Sequence, residues 1–166
     1  MRHDTKPKIP NTKIPNSIDL PRLVLISAFR LSMIWDLLTT FLGTLLILDG
    51  IHFIAIGLSL VGTLIAGAFN FSTRFIWTGK RIRRQETYLL KCAWVLAVLF
   101  DFWTSFICNV TYVALGRFEF GRSATWTYLS QLAWDQYLIV LVITLFTTLS
   151  PMMVGFIKER NPDFLA

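Results

Sequence analysis

Two carboxylates stand in stretches of sequence that are otherwise almost empty of charge. Asp36 and Asp49 are the only charged residues from Leu31 to Thr73, and Asp101 is the only one from Cys92 to Gly116. The surroundings of Asp36 and Asp101 match: Trp35-Asp36-Leu37-Leu38-Thr39-Thr40-Phe41-Leu42 against Phe100-Asp101-Phe102-Trp103-Thr104-Ser105-Phe106-Ile107. The common pattern is aromatic, Asp, two apolar residues, two hydroxyls, Phe, apolar. On a helix, a carboxylate followed three and four residues later by hydroxyls presents all three groups on one face. That face continues to Gly43 and Thr44 after Asp36, and to Cys108 and Asn109 after Asp101. Carboxylates set among hydroxyls can carry a proton or coordinate a cation. Two of them facing each other in a low dielectric cannot both ionise easily. An ionisable group at depth in a bilayer costs at least about 2.5 to 3.5 kcal/mol and marks a functional site by default. A structural use stays open beside this one, with each Asp serving as a hydrogen-bonding partner that fixes which helix packs where.

The elements that must position these groups follow from composition. Of 166 residues 54% are hydrophobic and 16% charged, where an ordinary soluble domain has about 25% charged. Gln136 to Ile157 holds no charge at all. A bilayer core about 30 Å thick takes roughly 20 apolar residues per helix, and the stretch from 31 to 73 is long enough for two passes. The expected fold is therefore an all-α integral membrane protein, a four-helix transmembrane bundle built from two hairpins. Its spans are expected at about 24–48, 51–73, 92–115 and 136–157 within a membrane domain of 23–157. Outside it lie a basic, proline-containing tail at 1–22 and a short tail at 158–166, too small to bury cores of their own. With four passes the two Asp-bearing helices run in the same direction, so a duplication would be parallel, with its axis along the membrane normal and its carboxylates at comparable depth.

Charge then orients the bundle. The formal net charge is +6, which first raises nucleic acid as a partner, but the positions of the basic residues give another reason for it. Fourteen of sixteen lie before or at the start of the first span, around the middle loop, or in the last tail; only Arg117 and Arg122 lie on the opposite side. Short loops rich in Lys and Arg stay in the cytoplasm, so both termini and the 74–91 loop are expected there. Arg74, Lys80, Arg81, Arg83 and Arg84 are expected at the interface, attracted to anionic headgroups. Nucleic acid is not an expected partner. The first twenty residues are polar and broken by Pro7, Pro10 and Pro15, unlike a cleavable signal peptide. The first helix is accordingly read as a retained anchor, with the bacterial inner membrane as the expected location. Within the tail, Lys8-Ile9-Pro10-Asn11-Thr12 is echoed by Lys13-Ile14-Pro15-Asn16-Ser17.

The second span carries a packing signal. Ala55, Ser59, Thr63 and Gly67 recur at every fourth residue, a small-residue seam that lets helix backbones approach closely. It is expected to face the first helix or a neighbouring subunit. A tight hairpin turning at Asp49-Gly50 sets Thr63 level with Asp36, which makes Thr63 the expected partner of that carboxyl. Pro151 is expected to kink the fourth span. Trp126, Leu129, Ala133 and Tyr137 recur at helical spacing with Tyr128 and Trp134 nearby, so the outer segment is expected to form a short interfacial helix, either a belt anchor or a recognition surface.

Several chemistries are set aside. His3 and His52 are the only histidines and Cys92 and Cys108 the only cysteines, too few for a bis-histidine haem or a four-cysteine metal site. No phosphate-cradling loop accompanies Gly79-Lys80. No catalytic residue, cofactor or metal is expected. The leading expectation is a non-enzymatic accessory, assembly or scaffold subunit of a membrane complex, associating with other membrane subunits or with itself. The alternative is a small cation- or proton-conducting channel or transporter that uses Asp36 and Asp101.

Overall fold

A computed structural model describes residues 20–78, 84–120 and 128–160. Helices α1 (Leu20–Ile47), α2 (Phe53–Phe71), α3 (Thr73–Thr78), α4 (Arg84–Leu115) and α5 (Trp134–Arg160) account for most of them, and no strand occurs among the described residues. Four helical stretches are long and apolar enough to cross a membrane: Leu23–Ile47, Phe53–Phe71, Tyr88–Leu115 and Trp134–Val154. The chain thus reads as a multi-pass membrane protein.

The helix ends differ from the apolar limits for local reasons. α4 begins at Arg84, eight residues before the expected start at 92, because Arg84, Gln85, Glu86, Leu89, Leu90 and Lys91 are good helix formers. Loss of hydrophobicity marks the lipid boundary and does not end a helix. At its other end, Gly116 takes φ +65° and its N–H reaches the Tyr112 carbonyl at 2.8 Å. This closes the last turn through a left-handed residue that suits glycine. Between α1 and α2 the positive φ falls on Asp49, at 58°, a residue whose short polar side chain tolerates that region. After α2 the chain turns at Ser72 and continues into α3, where Trp77 packs edge-on against Trp94 with centroids 5.3 Å apart and Lys91 Nζ stands 4.8 Å from the Trp77 ring.

The outer segment does not form one interfacial helix. A turn at 130–132 separates residues 128–129 from α5, and Gln136 Oε1 accepts the Ala133 N–H at 3.1 Å. This reach back to the residue before the helix is half of a capping box. That capping interaction starts α5 at Trp134 and carries Trp134 and Tyr137 into the last span, against the aromatic spacing that suggested continuity from 126. Tyr128 is 8% exposed and packs with Phe106, Val110 and Val140, so it belongs to the bundle interior. Trp134 is 83% exposed. Trp126 lies outside the described residues, as do Lys80, Arg81 and Arg83 and the tails at 1–19 and 161–166.

The bundle is apolar outside and polar within. Phe53, Leu31, Leu89 and Ile54 are among many large apolar side chains exposed on its surface. Among the described residues, buried polar side chains outnumber buried apolar ones, and most are Ser and Thr. A soluble domain has the reverse. Lipid explains the inversion, since burying apolar groups between helices gains nothing over leaving them in lipid, whereas hydroxyls can only be satisfied by one another or by the backbone.

α1 and α4 share the most extensive interface. Contacts advance together along both helices, from Thr40 with Asp101 through Gly43 with Thr104 to Leu46 with Ile107, so the two run parallel. Gly43 makes the crossing possible. A Cβ there would fall onto the Thr104 carbonyl, leaving glycine as the residue that fits. The α2 seam faces inward: Ala55, Ser59, Thr63 and Gly67 are all buried. Leu37 of α1 approaches Gly67, and Phe100 of α4 approaches Gly62.

Candidate functional site

The parallel crossing brings the two matching segments face to face. Asp36 is 1% exposed and Asp101 2%, and their carboxyls are neighbours in the bundle interior. Local geometry explains how the hydroxyls are used. Thr39 and Thr40 each donate to the Asp36 carbonyl, at 3.0 and 2.9 Å. Thr104 does the same toward the Phe100 and Asp101 carbonyls, at 2.9 and 3.0 Å. This back-bonding is the usual refuge of a hydroxyl inside a helix. The same hydroxyls also bridge the helices: Thr39 Oγ1 lies 2.9 Å from Ser105 Oγ, Thr40 Oγ1 lies 3.1 Å from it, and the single Thr40 hydrogen is shared between the Asp36 carbonyl and Asp101 Oδ1. Six of the expected residues, Asp36, Thr39, Thr40, Asp101, Thr104 and Ser105, are thus brought together. Asn109 is not with them. Its amide donates to Thr144 Oγ1 of α5 at 3.0 Å.

The second ligand of Asp101 is one that spacing missed. Asn70 Nδ2 donates to Asp101 Oδ2, while Thr63 donates to the Ser59 carbonyl of its own helix at 2.8 Å and does not bond Asp36. The hairpin register is the reason. A symmetric turn would set Leu37 level with residue 62, but Leu37 packs against Gly67. The five residues between α1 and α2, with His52 extended at φ −118° and ψ 160°, displace α2 by more than a turn. Asn70 therefore arrives at the depth where Thr63 was expected. In sequence Asn70 is marked only by being an uncharged polar residue inside an apolar run.

α5 contributes what no charge announced. Thr148 stands beside the Asp36 carboxyl, Ser32 donates to Ser150 at 2.8 Å, and Thr144 and Thr147 are buried. The available signal was hydroxyl spacing, Thr144 to Thr148 at four residues, next to Pro151. Polar groups on α1 from Ser32 to Thr44 extend over about 18 Å at 1.5 Å per residue, more than half of a bilayer core about 30 Å thick.

Satisfaction within this column is uneven. Both Asp101 oxygens accept a bond, whereas Asp36 Oδ1, Asn70 Oδ1 and Thr148 Oγ1 make no bond of good geometry, although Asp101 and Thr148 stand beside the Asp36 carboxyl, and the more distant Ser59 Oγ makes none. An unpaired polar group in hydrocarbon costs several kcal/mol. No basic side chain is buried among the described residues, so no cation of the protein offsets the two carboxyls there. Nor do three or more His, Cys, Asp or Glu residues gather anywhere among them. What the site offers is two carboxyls and neutral oxygens, a set suited to a proton or a hard cation.

Of the remaining expected residues, Arg74 lies in α3 at the end of α2, and Arg84 opens α4. Tyr137 packs edge-on against Phe106 with centroids 5.7 Å apart. Compared with protein-family models, with curated proteins and with solved structures, the chain finds no match.

Proposed function

We propose that this protein moves a cation, a proton or a small metal ion, across a membrane through the carboxyl pair Asp36 and Asp101. One observation carries the reading: the two intramembrane carboxyls adjoin each other in the interior, with no buried basic group among the described residues and with unpartnered oxygens around them. A packing role alone gives each carboxyl a neutral donor on a neighbouring helix, as Asp101 has in Asn70 and Thr40. It does not call for two carboxyls set side by side with no buried basic group beside them among the described residues. The hydroxyl column supplies a path of proton-accepting and ion-coordinating oxygens over much of the span. The bundle sits with both ends of the chain and the 74–91 loop in the cytoplasm of a bacterial cell, on the strength of fourteen basic residues against two. No covalent chemistry is assigned to it, and anionic headgroups attract its basic loop.

A scaffold role within a membrane complex is the second reading. The exposed aromatic Trp134 and the apolar outer surface favour it, but the α2 seam and both Asp faces, which were its natural contact surfaces, are turned inward. Reconstitution separates the two readings. Proteoliposomes holding the purified chain are expected to collapse an imposed proton or sodium gradient faster than empty vesicles. Equal leakage of both cations from loaded and empty vesicles would remove the transport reading.

A further inference from the structure

We infer that the carboxyl pair is the anionic part of a binding site for one dehydrated, sodium-sized monovalent cation, completed by the Asn70 carbonyl oxygen and the Thr148 hydroxyl. This rests on the cation-handling reading above and names its cargo.

Three of the four unpartnered buried side-chain atoms belong to the carboxyl pair or to residues in contact with it. Asp36 Oδ1, Asn70 Oδ1 and Thr148 Oγ1 lack a partner, and their residues are 1%, 1% and 2% exposed. Asn70 is tied to Asp101 through its amide nitrogen, and Thr148 adjoins the Asp36 carboxyl. Three helices, α1, α2 and α5, thus each bring one free oxygen to the pair. Buried polar atoms without partners are rare enough in folded proteins to call for a reason, and a bound ion is one. The neighbouring hydroxyls provide the contrast, since Thr39 and Thr104 donate to backbone carbonyls. The fourth orphan, Ser59 Oγ, is eleven residues from Asn70 along α2, about 16 Å at 1.5 Å per residue, and takes no part.

Charge sets the valence. Two carboxyls this close do not both ionise easily, and Asp101 receives donors from Thr40 and Asn70, so the pair offers about one negative charge, with Asp36 Oδ1 as its less-bonded oxygen. One such oxygen with neutral oxygens matches a monovalent ion. Magnesium gives up its waters reluctantly, and calcium takes six to eight oxygens, often from bidentate carboxylates. All ligands are oxygens, which disfavours soft metals. Pro151 adds one more: it has no N–H, so the Thr147 carbonyl four residues earlier loses its helical donor, one residue from Thr148. Interrupted helices coordinate ions in membranes by such freed carbonyls. Four oxygens on packed helices form a small shell, which favours sodium over potassium.

The test uses the full chain in detergent, with sodium chloride against choline chloride at equal ionic strength. Unfolding followed by tryptophan fluorescence is expected to shift upward saturably with sodium, as linkage requires, and equilibrium dialysis with radiolabelled sodium is expected to give about one ion per chain. Thr148 Oγ1 stands beside the Asp36 carboxyl, so a purely structural Thr148 predicts that Thr148→Val lowers stability equally in sodium and in choline, with unchanged sodium affinity. We expect it to fall about tenfold, with Thr148→Ser close to the parent. Unchanged affinity in Thr148→Val, or a larger shift with calcium or potassium than with sodium, overturns the assignment. Absence of sodium binding alongside proton flux that depends on Asp36 overturns this site and leaves the cation-handling reading with the proton as cargo. Absence of both overturns both.

Discussion

Gly43 offers the sharpest test of the geometry on which the site depends. In Gly43→Ala the new methyl meets the Thr104 carbonyl oxygen, a backbone atom of α4 that cannot rotate away as a side chain would. Overpacking a core costs about 1 to 3 kcal/mol, and the upper figure applies here because the obstacle is rigid. Better helix propensity of Ala returns up to about 1 kcal/mol, leaving a net loss of about 2 kcal/mol. If α1 and α4 separate far enough to break the bond from Thr40 to Asp101, one turn away, a charged hydrogen bond worth about 1.5 to 3 kcal/mol goes with it. Gly57 is the control, since nothing stands within 4 Å of a Cβ there. Gly57→Ala should be neutral or slightly stabilising. The assay is unfolding of both variants in the same detergent, followed by tryptophan fluorescence. Equal stability of Gly43→Ala and Gly57→Ala would refute the close parallel crossing and the face-to-face arrangement it produces.

Three further outcomes follow from the same structure. Asn70→Leu strips a donor from Asp101 and should destabilise by about 1.5 to 3 kcal/mol, while Thr63→Val, losing only a bond to its own helix, should change little; the reverse order in unfolding experiments would restore the symmetric hairpin register. Cys92 is exposed and Cys108 buried, so a membrane-permeant maleimide should modify Cys92 in the folded protein and Cys108 only after denaturation, with mass spectrometry counting the adducts. Reporter fusions after Ala166 and within 117–125 should register opposite sides of the membrane, the first cytoplasmic, and an exterior signal from the C-terminal fusion would invert the orientation argued from charge.

Much of the architecture was legible because hydrophobic runs and charge gaps are set by bilayer thickness, which does not depend on tertiary detail. The matching contexts of Asp36 and Asp101 were also legible, since spacing by three and four residues alone places the hydroxyls on the carboxylate face. Partners across helices were harder to read. Thr63 was matched to Asp36 by counting residues outward from Asp49-Gly50, but register depends on the path of five linking residues and on the helix crossing. Those belong to packing, and they bring Asn70 to the site instead. Thr148 escaped notice because hydroxyls are common in membrane helices and carry no charge to mark depth. Aromatic spacing from Trp126 to Tyr137 misled for a different reason: a local cap, Gln136 to the Ala133 N–H, decides where α5 starts.

The most direct test of the central claim measures flux and stability together in Asp36→Asn and Asp101→Asn. Asn at position 36 can donate to Asp101, and Asn at 101 can still accept from Thr40 and donate to the Asn70 oxygen once that amide turns over, so both variants should fold and unfold near the parent. Carboxyls that carry the cation predict loss of proton or sodium flux in proteoliposomes from these intact proteins. Flux at the parental rate, or variants that lose stability while the surviving folded fraction transports normally, would contradict the account and assign the pair to packing.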